Sequence, residues 1–519
     1  MYGINRNRLL GRSVVLAVVL AYAAVPMTMA AGETAEPIVF HHDGGWCWYQ
    51  DERAIVVDNT LTFGTIANGH NPDGSPNADR RGHIEITSYD LAAGKPIGTF
   101  LLHANYQPDD HNSPALLVRG DGRLLAMYCK HHRGAEISYR ISTKPGDAMD
   151  WQAVKTFAPS EKSQVTYSNL FRLAAERDGK GRVYDFFRGY DNSFEPSWMV
   201  SDDEGETWNA GGVLITEPGR ERPYAKYASN GTDTIHFVFT DGHPRNCLNS
   251  IYHAYYRDGK VHTSDGKVIR ALADGPITPA EATRIFEGGK NRVAWTSDLH
   301  LDPKGHPVAA YTLHRKPDFE NDHRYRYARW DGSQWHDFEI AHAGTWLYEK
   351  EADYTGNIAI DPDDVNTVFI STDAHPTSGE PLISTADGQR HYELFRGVTA
   401  DGGKTWTWTP VTANSPCDNI RPIVPKWNAA KTVVLWLRGK LETYTKYDLD
   451  VVGKVFETSA AKVFEPVPDT SGAGFVPLFD GETLDGWRPV NGGAKYHVED
   501  GCVVGVCDPA SKMNTFLRT

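Results

Sequence analysis

The chain has 519 residues and a formal net charge of −14, with 53 Lys and Arg against 67 Asp and Glu. That acidity excludes a general nucleic-acid binder but leaves room for an anionic polysaccharide held in a locally basic cleft. The length exceeds one ordinary compact domain unless units repeat around an axis, and 14 Trp, 24 Tyr and 48 Gly suit a turn-rich, all-β, sugar-handling protein.

Residues 1–31 read as a secretion signal. Arg6, Arg8 and Arg12 are its basic part, Val14–Val25 its apolar run, and Ala30 or Ala31 its small-residue end. The run is short for a membrane span, and no later segment is apolar enough to be one. The expected product is exported, secreted or periplasmic, and monomeric. Six cysteines are scattered without a CxxC pair, which argues against a zinc knuckle. Cys47 and Cys129 sit in apolar runs that suit buried thiols.

The stretch from Gly44 to Arg53 (GGWCWYQDER) is densely aromatic. Trp46 and Trp48 suit stacking on sugar faces. Equally, the stretch suits closure of a ring by packing, with Asp51, Glu52 and Arg53 as a buried polar network. From there to residue 462 the text is a series of short strands between Gly/Asp/Asn/Pro turns, such as Leu124–Tyr128, Thr234–Thr240, Val308–Leu313 and Thr432–Leu437. This pattern predicts antiparallel β-structure with no long helix.

Ser201–Trp208 (SDDEGETW) and Thr399–Trp406 (TADGGKTW) write the same turn twice, [S/T]-x-D-x-G-x-T-W, and Asp331–Trp335 (DGSQW) is a worn copy. The Asp can hold backbone N–H groups, the Gly can take a positive φ, and the Trp can pack back on its hairpin. This stamp resembles the Asp-box, or BNR repeat, of β-propellers. The resemblance implies a seven-bladed propeller over residues 37–462, at about 60 residues per blade. Residues 463–474 read as a Pro/Gly/Ser linker. The last stretch, 475–519 (FVPLFDGETLDGW onward), resembles the opening of a 3-keto-disaccharide hydrolase-like β-sandwich, expected to be a truncated or split one or a poorly ordered tail; no catalysis is assigned to it.

Chemistry-bearing side chains recur at the ends of predicted strands. His111 lies in DDHNSP, His131, His132 and Arg133 in KHHR, and Tyr224, Lys226 and Tyr227 in RPYAKY. His243, Arg245 and Asn249 follow in TDGHPRNCLN. Along an extended strand Tyr224 and Lys226 share a face and Tyr227 takes the other. Each has a bland reading as a blade-edge residue, but together they exceed what packing needs.

Eliminative cleavage of a uronate polymer uses such a set. A cation neutralises the carboxylate, a His or Tyr takes the C5 proton, and a Tyr or His protonates the leaving oxygen. Hydrolysis wants two carboxylates at a set separation. Glu349, Glu351, Asp51 and Glu52 are available for that but form no hydrolase signature. No cofactor is required. A structural Ca²⁺ at Asp361–Asp364, or Zn²⁺ at His243 and Cys247, has little pattern to support it.

GGWCWYQDERAIV (44–56), DDHNSPAL (109–116), YCKHHRG (128–134), TYSNLFRL (166–173), RPYAKYASNG (222–231), TDGHPRN (240–246) and NSIYHAYYRDG (249–259) resemble the BNR-repeat family that includes ulvan lyases and rhamnose–glucuronate lyases. That resemblance implies an anionic polysaccharide as partner and β-elimination as the reaction. It implies His111 as the first catalytic histidine, and His132 or His131 as the second. Tyr227 or Tyr224 would be the catalytic tyrosine, and Arg245 with Asn249 would neutralise the carboxylate. His243, Arg133, Lys226, Trp46 and Trp48 would contact substrate. A hydrolase on the same scaffold and a non-catalytic glycan-binding propeller are the alternatives.

Overall fold

The computed structural model describes residues 36–457, apart from 218, 220–221, 316–320 and 350, together with short stretches between 483 and 518. The secretion signal and the linker fall outside the described residues. The chain divides into two units, Met1–Ala460 and Ala461–Thr519.

The first unit is a seven-bladed β-propeller. Six blades follow one another as antiparallel meanders. They begin at Ala54–Val57, Ala115–Val118, Leu170–Leu173, Ala225–Ser229, Val293–Leu301 and Ile358–Ile360, the innermost strands of blades 1 to 6. These inner strands pack on one another around the axis. Blade 7 is composite. Asp418–Ile423, Lys431–Thr443 and Lys446–Glu457 supply three strands, and the N-terminal strand Ile38–His41 pairs with the last of them to complete the sheet. Blade 4 is enlarged by an extra hairpin, Lys260–His262 with Val268–Ala271, and by Thr283–Phe286.

Both faces of a blade are covered by neighbouring blades, so second strands lack polar alternation. Leu124–Cys129, Thr234–Thr240, Pro307–His314 and Thr367–Thr372 are buried at every position. Each seam carries its own cluster. Val308, Tyr327, Ile360 and Ile370 meet between blades 5 and 6, and Leu173, Phe186, Tyr227 and Phe237 between blades 3 and 4.

The Asp-box turns all connect the third strand of a blade to the fourth. Asp203 accepts the Thr207 N–H at 2.8 Å and its hydroxyl at 2.6 Å, while Ser201 Oγ accepts the Gly205 N–H at 2.7 Å. Asp401, Thr405, Thr399 and Gly403 repeat this geometry. Gly403 has φ 104°, and a Cβ there would meet Tyr327 at 2.6 Å. The tryptophans do more than fold back on their own hairpins. Trp208 packs against Tyr139 of blade 2, and Trp406 against Tyr327 of blade 5. Each Asp-box therefore clasps the blade before it.

Between the closing strand and blade 1, residues 44–53 cross the axis as a plug. The Trp46 indole donates to the Arg421 carbonyl of blade 7, and Arg421 donates to the Trp46 carbonyl at 2.7 Å. Trp48 packs edge-on against Trp295 of blade 5 and Tyr354 at the entry to blade 6. Lys226 of blade 4 donates to the Trp48 carbonyl at 2.7 Å and to Asp51 at 2.6 Å. The Leu170 N–H of blade 3 donates to the Asp51 carbonyl at 2.9 Å. Ring closure by packing is what this stretch does. Trp46 and Trp48 are buried and present no face for a sugar, so the stacking role expected for them is corrected.

The second unit is described by two antiparallel strand pairs, Lys495–Glu499 with Cys502–Val506 and Arg488–Val490 with Phe516–Arg518.

Candidate active site

In an antiparallel meander, the links between blades and the hairpins joining second to third strands emerge on one face. Asp109, His111, Tyr167, Tyr224 and Tyr354 lie on such links, just before inner strands. His131, Arg188, His243 and Tyr444 lie at the ends of second strands or in the hairpins that follow. The topology thus gathers them at one mouth, with the plug as its floor.

Asp109 organises one half of the site. Its two carboxylate oxygens take His111 Nδ1 at 2.7 Å and His131 Nδ1 at 2.9 Å. The imidazoles lie parallel, 3.8 Å apart, and the Tyr444 ring stands edge-on to both. Asp110 adds a second carboxylate 2.8 Å from His111 Nδ1 and is paired on its other side with Arg421. The stacked rings titrate in opposite directions. Burial disfavours the His111 imidazolium, but the Cys47, Asp109 and Asp110 side chains overcome this and hold its pKa well above the usual value. Burial, followed by repulsion from His111, pushes His131 down to about 4. Nδ1–H of His131 is directed at Asp109, which leaves Nε2 as a lone pair.

Tyr167 lies over the other side of His111, with ring centroids 5.6 Å apart. Beyond it the buried Arg188 guanidinium sits 4.8 Å from the Tyr167 ring and 5.4 Å from the Tyr224 ring. Arg188 donates to the Tyr224 hydroxyl at 3.0 Å. Tyr224 meets His243 edge-on, and His243 lies against Trp295. Burial, then the charges of Arg245 and Arg222, push His243 down to about 3, so it is neutral. The result is one continuous row: His131, His111, Tyr167, Arg188, Tyr224, His243.

Several sequence expectations resolve differently. His132 takes φ 50° and turns away from Asp109 to stack on Phe194 at 4.3 Å. Tyr227 stacks on Phe186 in the seam between blades 3 and 4, where burial raises its pKa strongly, and it does not reach the mouth. Lys226 is spent on the plug. Asn249 is fully buried and closes a turn, accepting the Gly242 N–H at 3.0 Å and donating to its carbonyl at 2.7 Å. Arg245 is half-exposed at the rim and paired with Glu351. Arg133 is exposed. Tyr167 and Arg188 were not singled out from sequence. Tyr167 stands in the TYSNLFRL text, and Arg188 ends an apolar strand just before Gly189, a signal too ordinary to read alone.

Among the described residues, two sets bring three metal-capable donors within 4.8 Å, Cys47–Asp110–His111 and Asp109–His111–His131. Both centre on His111, whose Nδ1 already faces the carboxylates, and Arg421 stands against Asp110. That arrangement suits proton handling better than a cation. The Asp361 carboxylate is taken by the Thr432 hydroxyl and the Asp363 N–H, as in a turn.

The fold is similar to that of a polysaccharide lyase of family PL25, an ulvan lyase solved bound to -[GlcA(1-4)Rha3S]-. Identity is 14%, the alignment covers 80% of this chain and 96% of that one, and the TM-score is 0.58. The polysaccharide lyase Uly1 is similar at 12% identity over 83% of this chain and 94% of its own, with a TM-score of 0.50. No curated protein sequence matches the chain. The family model of BNR repeat-containing family members matches residues 47–343, more than half of the chain, and the chain belongs to that family.

Proposed function

We propose that the chain is an exported polysaccharide lyase that cleaves a uronate-containing, ulvan-like polysaccharide by β-elimination. The observation that carries this reading is the row from His131 to Tyr224, in which a neutral imidazole, a buried guanidinium and a phenol line one mouth.

The uronate carboxylate binds to Arg188, whose charge offsets the negative charge that develops as C5 loses its proton. His131 Nε2 takes that proton, with Asp109 orienting the ring. Electrons from the C5–H bond form the C4=C5 double bond, and the C4–O bond breaks. The Tyr224 hydroxyl protonates the departing oxygen, with the Arg188 N–H already on the phenol oxygen to hold the charge left behind. Protonated His111 adds positive charge beside the base. No water attacks in this scheme.

The carboxylates give hydrolysis less support. Glu351 is engaged by Arg245, Glu349 is exposed, and Asp51 and Glu52, at the end of the plug, line a separate cavity among the inner strands. Export rests on the N-terminal sequence. Among the described residues no helix is long and apolar enough to cross a membrane.

The test is incubation of the purified protein with ulvan, followed in the ultraviolet. A rise from the conjugated uronate, abolished by Arg188→Ala, is expected. New reducing ends without absorbance would replace elimination by hydrolysis, and neither signal would leave a binding module.

A further inference from the structure

On the opposite face, the extra hairpin of blade 4 and the worn Asp-box of blade 5 enclose a groove of about 470 Å³, a size suited to a small ligand segment. Its central ring is Trp335. The Asp331 carboxylate holds the Ser333 and Gln334 N–H groups, a tighter turn than in the two full Asp-boxes. Yet Trp335 is only partly buried, and it lines the groove together with Trp330, its partner across the hairpin at 5.9 Å. The Trp335 indole N–H is fixed on Ser264 Oγ of blade 4 at 2.9 Å, and His253 braces the ring edge-on at 5.2 Å. Its orientation is therefore set before any ligand arrives.

Two exposed cations, Lys267 and Arg284, line the same groove. Arg284 makes a loose 3.7 Å pairing with the exposed Glu287. Asp265 also lines the groove, and it is engaged by the Thr263 hydroxyl. Two lining cations against one lining carboxylate, with Glu287 paired to Arg284 from outside the lining, sit beside an oriented indole on a chain of net charge −14. A braced aromatic face fits the apolar face of a sugar ring, and the flanking cations fit its carboxylates.

We infer that this groove is a second, non-catalytic site that holds an acidic polysaccharide chain while another part of the polymer occupies the mouth. The inference rests on the proposed function only for the kind of glycan. The experiment is affinity electrophoresis of the full chain in gels containing ulvan or neutral dextran, comparing the parent with the double variant Lys267→Glu/Arg284→Glu. Both side chains are exposed, so the variant is expected to fold; Trp335→Ala is the companion, less clean because that ring also spans a seam. Retardation by ulvan should weaken several-fold in the double variant, with dextran migration unchanged. Turnover of short oligosaccharides should stay at the parent's level while turnover of the polymer falls. Equal retardation of parent and double variant, or no retardation of the parent, overturns the inference. Unsaturated product with equal retardation removes the groove and keeps the lyase. Charge-dependent retardation without product from any polymer does the reverse.

Discussion

His131 and His111 share one carboxylate and stack face to face, yet their environments move them to opposite sides of their ordinary value. A pair separated in this way can hold one neutral and one charged ring at the same pH. Elimination that needs neutral His131 and protonated His111 should fall on the acid side near pH 4, and on the alkaline side as His111 loses its proton. Asp109→Asn removes a charge that favours the His111 imidazolium, so the alkaline limb of the kcat/KM profile should move to lower pH. An unmoved limb would take His111 out of the scheme. His131→Ala should cost about 10²–10⁴ in kcat, whereas His132→Ala should leave kcat close to the parent. The sequence offered His131 and His132 as equals, because a neighbouring pair in a turn differs only in backbone torsion, and the φ of 50° at His132 is what sends it to Phe194. Tyr224 and Tyr227 were separable in principle, since strand alternation puts them on opposite faces. Which face looks into the mouth depends on where the strand begins. Arg188 was illegible because its role comes from two tyrosines, 21 and 36 residues away in sequence, that fold onto it.

Among the elements, the plug commits buried polar groups to partners in other blades. Lys226 is almost completely buried and its ammonium is spent on Asp51 and the Trp48 carbonyl. Lys226→Met keeps the stem but leaves Asp51 without that charge, which should cost about 3–5 kcal/mol of stability. A denaturant midpoint that stays at the parent's value would contradict this assignment. The aromatic density of residues 44–53 was visible at once, and ring closure was one of the two readings it allowed. A tryptophan that stacks on sugar and one that fills an axis look alike in text. Only the blades that meet the plug distinguish them. The Asp-boxes were legible as turns because their hydrogen bonds are local, whereas their grip on the preceding blade depends on Tyr139 and Tyr327, which no local pattern names.

For the whole molecule, the number of blades became countable once Ile38–His41 was seen to complete the last sheet, a long-range pairing that sequence repeats do not reveal. That strand is also tied sideways to blade 1. His41 Nε2 meets Glu85 at 2.9 Å, and Arg80 donates to the same carboxylate at 2.6 and 3.0 Å. Burial would raise the Glu85 pKa, but His41 and Arg80 overcome it and bring it from 4.5 down to about 2. A carboxyl depressed in the fold contributes stability above its unfolded value and loses it as pH falls through the folded one. The contribution, about 3 kcal/mol, is therefore present above pH 4.5 and fades toward pH 2. The melting temperature of Glu85→Gln should lie well below the parent's at pH 7, and the two should converge near pH 2; a constant gap would show that Glu85 acts through packing alone. The plug carries one more consequence. Trp46 and Arg421 bond to each other across 375 residues of chain, so this contact of the plug cannot form until the seventh blade exists. Blade-by-blade maturation can build sheets but cannot finish the ring, and the final docking waits for the seventh blade, a non-local step of the kind that makes folding slow.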